Sequence, residues 1–191
     1  MGTEIKSIDA VKIIDSILKT TEKNIIVAID GRCASGKTTY ARFLKEQFQC
    51  NVFHMDDFFL KPEQRTEERL AEPGGNVDRV RFYDEVIKGI LSGKDFTYRP
   101  FECKSMSLGE EVSVKPSKLN IIEGSYSCHP YLRDNYDIKF FMTIAPDIQK
   151  ERIYIRNKDK ADMFFNKWIP LEEKYFSAFD ISSECDYIII T

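Results

Sequence analysis

Gly31-Arg32-Cys33-Ala34-Ser35-Gly36-Lys37-Thr38 satisfies the phosphate-loop pattern G-x-x-x-x-G-K-[ST] at every fixed position. Its flanks are those the pattern requires. Ahead of it runs Ile25-Ile26-Val27-Ala28-Ile29, an almost wholly apolar, β-branched run that predicts a buried parallel strand. Behind it, Tyr40, Phe43, Leu44 and Phe48 recur at helical spacing with polar residues between them. A strand, a glycine turn and a helix in that order let successive backbone N–H groups and a helix N-terminus converge on one anion. Gly31 and Gly36 permit conformations and close approaches that a Cβ would hinder. In such a loop Lys37 reaches the β- and γ-phosphates and the Thr38 hydroxyl ligates Mg²⁺. A glycine turn that merely caps a helix would not need Lys37 and Thr38 in these positions. The stretch predicts a nucleoside-triphosphate site.

Working outward, Ser7 to Thr20 puts Ile8, Val11, Ile14, Ile17 and Leu18 on one helical face, with Ser7 as the expected N-cap. Gln49 to His54 reads as a second strand, ending in Met55-Asp56-Asp57-Phe58-Phe59. Lys61 to Asn76 is polar and reads as a loop or short helix. Asp78 to Ser92 has helical spacing, stopped by Gly93. Phe96 to Phe101 and Met106 to Val114 predict a small antiparallel excursion with Gly109 near its turn. Leu119 to Gly124, Lys139 to Ile144 and Asp186 to Ile190 are further buried strands. A helix is expected from Asp147 to about Lys158, and another over Ala161 to Asp180, where Pro170 starts a new helix or kinks the old one. Apolar strands alternating with amphipathic helices predict an α/β fold with a doubly wound, mostly parallel sheet, read as one domain over 1–191. Ligands in such sheets sit beyond the carboxyl ends of the strands.

Composition narrows the partners. The chain has 191 residues, is 42% hydrophobic and carries a net charge of −3, which suits a folded protein and gives no reason to expect nucleic acid. No apolar run approaches the roughly 20 residues of a membrane span, and no signal peptide is visible. Position 6 is Lys, where an acylation signal on Gly2 would want Ser or Thr. Five scattered cysteines without a C-x-x-C pair argue against a disulfide framework and a zinc site. Cys33 is expected to be a spectator, and the cytoplasm is the expected compartment. His54 and His129, the only histidines, read as structural because no other ligand accompanies either of them.

Three further features decide what a triphosphate would be used for. Asp56 follows the second strand, facing the loop that carries the γ-phosphate, and suits a base for an acceptor hydroxyl or a metal ligand through water. Glu123 ends a strongly apolar strand, where a carboxylate needs a metal ion or Lys37 to offset its desolvation. Arg152 and Arg156 lie four apart on one helical face and can close over phosphates as a lid.

These residues resemble the uridine kinase family, within the group that includes phosphoribulokinase and bacterial pantothenate kinase. The resemblance runs from about Ile25 to Ile190. Gly31 to Thr39 fits the family's phosphate loop, so Gly31, Ala34, Ser35, Gly36, Lys37, Thr38 and Thr39 are the expected ATP-binding residues. Asp56-Asp57-Phe58-Phe59 is similar to the element whose Asp is the base. Asn76-Val77-Asp78 resembles the run whose Asp holds ribose hydroxyls. Ile122-Glu123-Gly124 resembles the strand end whose Glu joins the Mg²⁺ shell. Arg152-Ile153-Tyr154-Ile155-Arg156-Asn157 resembles the lid signature, and Trp168-Ile169-Pro170 with Glu172 and Glu173 the helix after it.

The resemblance implies an ATP- and Mg²⁺-dependent kinase of a small-molecule hydroxyl, most readily a nucleoside. Its catalytic residues would be Lys37, Asp56, Arg152 and Arg156, its metal ligands Thr38, Glu123 and Asp56. Asp78, Tyr83, Arg99 and Phe101 would line the acceptor site. A homo-oligomer is compatible with all of this. The chain departs from the family at Tyr98 to Lys104, which lacks the His that reads a pyrimidine, and at the lid, where one Arg stands for a pair and Asn157 for an Asp. A pantothenate-like or sugar acceptor is therefore the enzyme-class alternative. A slowly hydrolysing switch module is the other, although no guanine-reading Asn-Lys-x-Asp occurs.

Overall fold

The computed structural model describes residues 2–191. Its core is a six-stranded, all-parallel sheet. The strands are β1 (Thr3–Ile5), β2 (Ile25–Gly31), β3 (Asn51–His54), β8 (Leu119–Glu123), β9 (Ile138–Thr143) and β10 (Tyr187–Ile190), in the order β1-β10-β9-β2-β8-β3. Every residue of β2 and β8 is buried. That is why both read as continuous apolar runs: helices cover the two faces of a parallel sheet, so neither face tolerates water. Parallel register sets Ile29 beside Glu123 and His54 beside Glu123 across the centre. The carboxyl ends of β2, β3 and β8 therefore open onto one place.

Alternate residues of the strands feed two cores. Val27, Ile29, Ile121 and Phe140 pack with Ala10 and Ile14 of α1 (Ser7–Thr20) and with Tyr40 and Leu44 of α2 (Lys37–Phe48). Ile26, Ala28, Ile122 and Phe141 pack on the other face. Their partners there are Phe82, Val86 and Ile90 of a helix over 79–92, and Tyr175 and Phe176 of one over 161–178. The first helix after the 3₁₀ turn at Met55–Phe58 is the short α3 (Glu67–Ala71), and the 79–92 helix is α4. Its middle, Tyr83–Ile87, is a π-turn.

Two small ribbons follow, β4 (Phe96–Tyr98) with β7 (Val112–Val114) and β5 (Phe101–Glu102) with β6 (Ser107–Leu108). The antiparallel excursion was legible. Its turn lies at 103–106, whereas Gly109 falls between β6 and β7 and its N–H donates to the Pro100 carbonyl. α5 (Pro146–Asn157) leads through a 3₁₀ turn at Lys158–Lys160 into α6 (161–178). A π-turn at Phe164–Trp168 precedes Pro170. The helix runs through, because a widened turn relieves the clash that Pro170 would make with the preceding carbonyls. α7 (Ile181–Glu184) then returns the chain to β10.

One expectation fails at the N-terminus, and one strand there had none. The N-cap of α1 is Lys6 rather than Ser7, with no side-chain capping bond; the Ser7 carbonyl instead accepts from the Tyr40 hydroxyl at 2.6 Å. The edge strand β1 was not foreseen, since three residues give no period to read. No helix among the described residues is long and apolar enough to cross a membrane.

Candidate active site

The glycines of the loop are there for backbone reasons. Gly31 has φ +135° and a Cβ on it would lie 1.9 Å from the Met142 carbonyl oxygen. Gly36 has φ +93° and Ala34 adopts φ +60°. Left-handed residues between ordinary ones turn successive N–H groups to one side, and the first N–H groups of α2 have no partner within the helix. The result is an anion cradle at the end of β2.

Lys37 is buried beneath this cradle. Its Nζ donates to the Gly31 and Arg32 carbonyls at 2.7 and 2.9 Å and to Ser125 Oγ at 3.4 Å. Thr38 Oγ1 donates to Glu123 Oε1 at 3.0 Å. The same carboxylate oxygen lies 2.6 Å from His54 Nδ1, and this contact raises the histidine above its ordinary pKa. Asp56 stands in the 3₁₀ turn after β3 and faces the same cleft. Its carboxylate is open to solvent through the cleft mouth yet crowded by protein. Desolvation lifts its pKa, against the pull of Lys37. Asp57, its neighbour in the same turn, does not line that cleft.

A cleft of about 300 Å³ joins these groups. Lys37, Thr38, Asp56 and Glu123 line one part of it, and Phe59, Asn76, Tyr126, Phe164 and Trp168 another. The oxygen donors suit Mg²⁺, which takes one or two protein ligands and completes its shell with phosphate and water. No cluster of three His, Cys, Asp or Glu side chains able to hold a metal by itself occurs among the described residues. Thr38 and Glu123 would hold the ion together with its nucleotide.

Both lid residues border a groove beside the loop, and only Arg156 also lines the cleft. Arg156 lines the cleft, with its guanidinium 6.0 Å from the Phe164 ring centre. Arg152 instead donates to the Ala34 carbonyl at 3.2 Å and borders a neighbouring groove beside Phe43 and Thr191, which Ser35, Gly36 and Thr39 also line.

The four expected acceptor residues are not brought into the cleft. Asp78 caps α4, accepting from Arg81 N at 3.1 Å and from Gln64 Nε2 at 2.8 Å. Tyr83 packs edge-on against Tyr131. Arg99 is committed to the Gly109 carbonyl at 2.8 Å. Phe101 is buried under the Arg65 guanidinium. Each is taken up by local structure, so Asn76 rather than Asp78 represents its run at the site.

Two carboxylates had no site role in the sequence reading, Asp30 unmentioned and Glu172 named only as part of the helix after the lid. Asp30, the last side chain before the loop, is wholly buried. It accepts from the N–H groups of Gly31, Tyr126 and Cys128 and from the Tyr175 hydroxyl, at 2.7, 3.2, 2.8 and 2.8 Å. Burial pushes it up to about 6 against those hydrogen bonds. Glu172, from α6, accepts from Cys33 N at 2.9 Å and Ser125 Oγ at 2.7 Å. Next to it Glu173 grips the Arg32 guanidinium at 2.7 and 2.9 Å. The rule that drew attention to Glu123, an acid ending an apolar strand, would also have found Asp30. Cys33 has its thiol pushed up to about 12 by burial and by Glu172, which disfavours the thiolate. His129 is buried and stacked on Tyr175, and burial pushes it down to about 4.

With the geometry in place, known proteins can be set beside it. No protein-family model matches the chain. A cytidylate kinase from Clostridium tetani is 24% identical over 162 residues, covering 72% of this chain and 70% of that protein. A uridine kinase from Ligilactobacillus salivarius is 27% identical over 137 residues, covering 66% and 63%. The matched region is thus about two thirds of either relative. Among solved structures, a possible uridine kinase from Bacillus stearothermophilus superposes with a TM-score of 0.65 at 19% identity over 95% of this chain and 99% of its own. D-glycerate 3-kinase from Cryptococcus neoformans gives 0.63 at 13%, over 97% and 94%. This chain resembles the uridine kinase group of P-loop kinases in fold and in sequence. The mostly parallel α/β sheet and the P-loop at the end of β2 are common ground.

Proposed function

We propose that the protein is an ATP-dependent phosphotransferase that moves a γ-phosphate to a hydroxyl of a small molecule, with a nucleoside as the first acceptor class. The observation that carries this reading is the convergence of Asp56 and Glu123 on Lys37 and Thr38 in one cleft. A hydrolysing switch needs the loop and a metal ligand, but it has no use for a second carboxylate open to an acceptor.

When bound, Mg·ATP supplies the phosphoryl group and offsets its charge. The loop N–H groups and Lys37 hold the phosphates, and Thr38 with Glu123 orders the metal. Asp56 takes the proton from the acceptor oxygen onto its carboxylate. Its pKa, raised by desolvation, makes it a stronger base than a free aspartate. Arg156 supplies positive charge over the transferring group, and the aromatic wall excludes water that would compete with the acceptor. Arg152 acts through the Ala34 carbonyl, shaping the loop.

The test is Asp56→Asn with Mg·ATP and a panel of nucleosides and sugars, read by ADP release. A positioned base contributes about 10²–10⁴-fold, so turnover should fall by that factor while ATP-analogue binding persists. Near-normal transfer by the variant would refute the assignment.

A further inference from the structure

One N–H of the P-loop is held by an acid from a distant element. Arg32 N donates to the Met142 carbonyl at 3.1 Å and Ser35 N to that of Arg32 at 3.2 Å, whereas Ala34 and Gly36 donate to no backbone carbonyl. The Cys33 N–H instead donates at 2.9 Å to Glu172 Oε2, on α6. The other oxygen of that carboxylate, Oε1, accepts from Ser125 Oγ at 2.7 Å. Ser125 Oγ in turn accepts from Lys37 Nζ at 3.4 Å. In a loop of this kind the lysine is the group that reaches the β- and γ-phosphates. Glu172 therefore stands at the γ end of the cradle, one hydroxyl away from Lys37, buried and lining the cleft.

Packing alone does not call for a carboxylate here. The ion pair of this helix belongs to Glu173, with Arg32; the donors to Glu172 are an amide and a hydroxyl. Two neutral donors would be met by the oxygen of an amide as well, so the charge is what sets Glu172 apart. A carboxylate oxygen and a phosphate oxygen seek the same backbone donors, and they compete for the Cys33 N–H. If both stay close, their like charges oppose each other. Trp168 lies four residues before Glu172, about one helical turn, and also lines the cleft. A change at Glu172 thus acts on the segment that bears Trp168.

We propose that Glu172 is a positioning residue that senses the γ-phosphate: its carboxylate holds the Cys33 N–H while the γ position is empty and yields it to the γ-phosphate of ATP, releasing α6 from this contact. This rests on the phosphotransferase reading above and gives the nucleotide half of the site a means of telling ATP from ADP. No covalent bond is made or broken at Glu172; one hydrogen-bond acceptor is exchanged for another. After transfer the carboxylate takes the Cys33 N–H back, so α6 returns to its starting contact once per turnover. The charge sets the direction of the effect: Glu172 opposes ATP more than ADP.

Trp168 is the only tryptophan of the chain, so its emission follows α6. The full chain, with Mg²⁺ and no acceptor, is titrated with a non-hydrolysable ATP analogue and, separately, with ADP. In the wild type the analogue should shift Trp168 emission saturably, and ADP should leave it near that of the free protein. Glu172→Gln keeps an oxygen for the Cys33 N–H and the shape of the side chain while removing the charge. Couplings of this kind are worth about 5- to 150-fold, so the variant should bind the analogue at least about fivefold more tightly and ADP within about twofold of wild type. Equal emission responses of the wild type to the two nucleotides would overturn the inference, and that comparison needs no variant to fold. Equal changes in analogue and ADP affinity in Glu172→Gln, or weaker analogue binding, would overturn it too, and in each case the kinase reading stands. Failure of the wild type to bind either nucleotide would remove both.

Discussion

Asp30 shows how a single side chain holds a loop without joining the chemistry assigned to it. Three backbone N–H groups and the Tyr175 hydroxyl converge on a carboxylate with no access to water. One of those donors is Tyr126, held at φ +77°, an expensive conformation for a residue with a ring. Because burial pushes Asp30 up to about 6, above the ordinary aspartate value of about 3.9, the folded state binds its proton more tightly than the unfolded one. Stability from this group is present below about pH 4 and is lost as pH rises to about 6. Asp30→Asn should flatten that part of the Tm-against-pH curve, a difference on the order of 2–3 kcal/mol across the window, measured against wild type by thermal unfolding. Gly31→Ala is a harsher change. Its Cβ would overlap the Met142 carbonyl, which is backbone and cannot step aside, so a thermal melt should show loss of the folded protein or of any shift with ATP analogue. Glu123→Gln should weaken the Mg²⁺ dependence of turnover, seen as a rightward shift in a Mg²⁺ titration, since a neutral amide is a poorer ligand for a hard cation.

At the scale of elements, α4 and α6 are each interrupted by a π-turn, and both interruptions matter for what they place. In α6 the widened turn carries Phe164 and Trp168 to the cleft and accommodates Pro170. In α4 the π-turn buries Val86, and the turns on either side bury Phe82 and Ile90, against the sheet. Phe82 is fully buried and meets Phe58 at 4.8 Å, edge to face. Phe82→Ala should destabilise the fold by about 3–5 kcal/mol, read as a lower denaturant midpoint with an unchanged slope. Because Phe58 precedes Phe59, that loss should also loosen the wall of the cleft. Helical periodicity was enough to find both helices. It could not reveal the π-turns, which insert one residue and leave the apolar spacing nearly intact.

For the whole molecule, the cleft is where stretches far apart in the chain meet, from the P-loop to α6. The P-loop touches the β8 loop through Ser125 and α6 through Glu172 and Glu173. A ligand that binds only this assembled state stabilises it by mass action, about 2.7 kcal/mol at a hundredfold excess over Kd. A non-hydrolysable ATP analogue with Mg²⁺ should therefore raise Tm by several degrees, and Lys37→Ala should abolish most of that shift in the same assay.

What the sequence determined by itself was local or periodic. The P-loop is encoded in eight consecutive residues, and the buried strands of the parallel sheet declare themselves because covering both faces leaves only apolar positions. Asp56 and Glu123 drew attention as acids just after or at the end of a predicted strand, and both line the cleft. The places of the four expected acceptor residues were not legible. Asp78, Tyr83, Arg99 and Phe101 carry suitable chemistry, yet each finds a nearer partner: a helix N-terminus, Tyr131, a ribbon carbonyl and Arg65. Asn76, Phe59 and Trp168 come together only because an antiparallel bridge and a π-turn bring distant segments to one cleft. Spacing along the chain specifies which residues share an element. Which side chains remain free to meet a ligand is decided by the competition for hydrogen bonds and packing once the chain has closed.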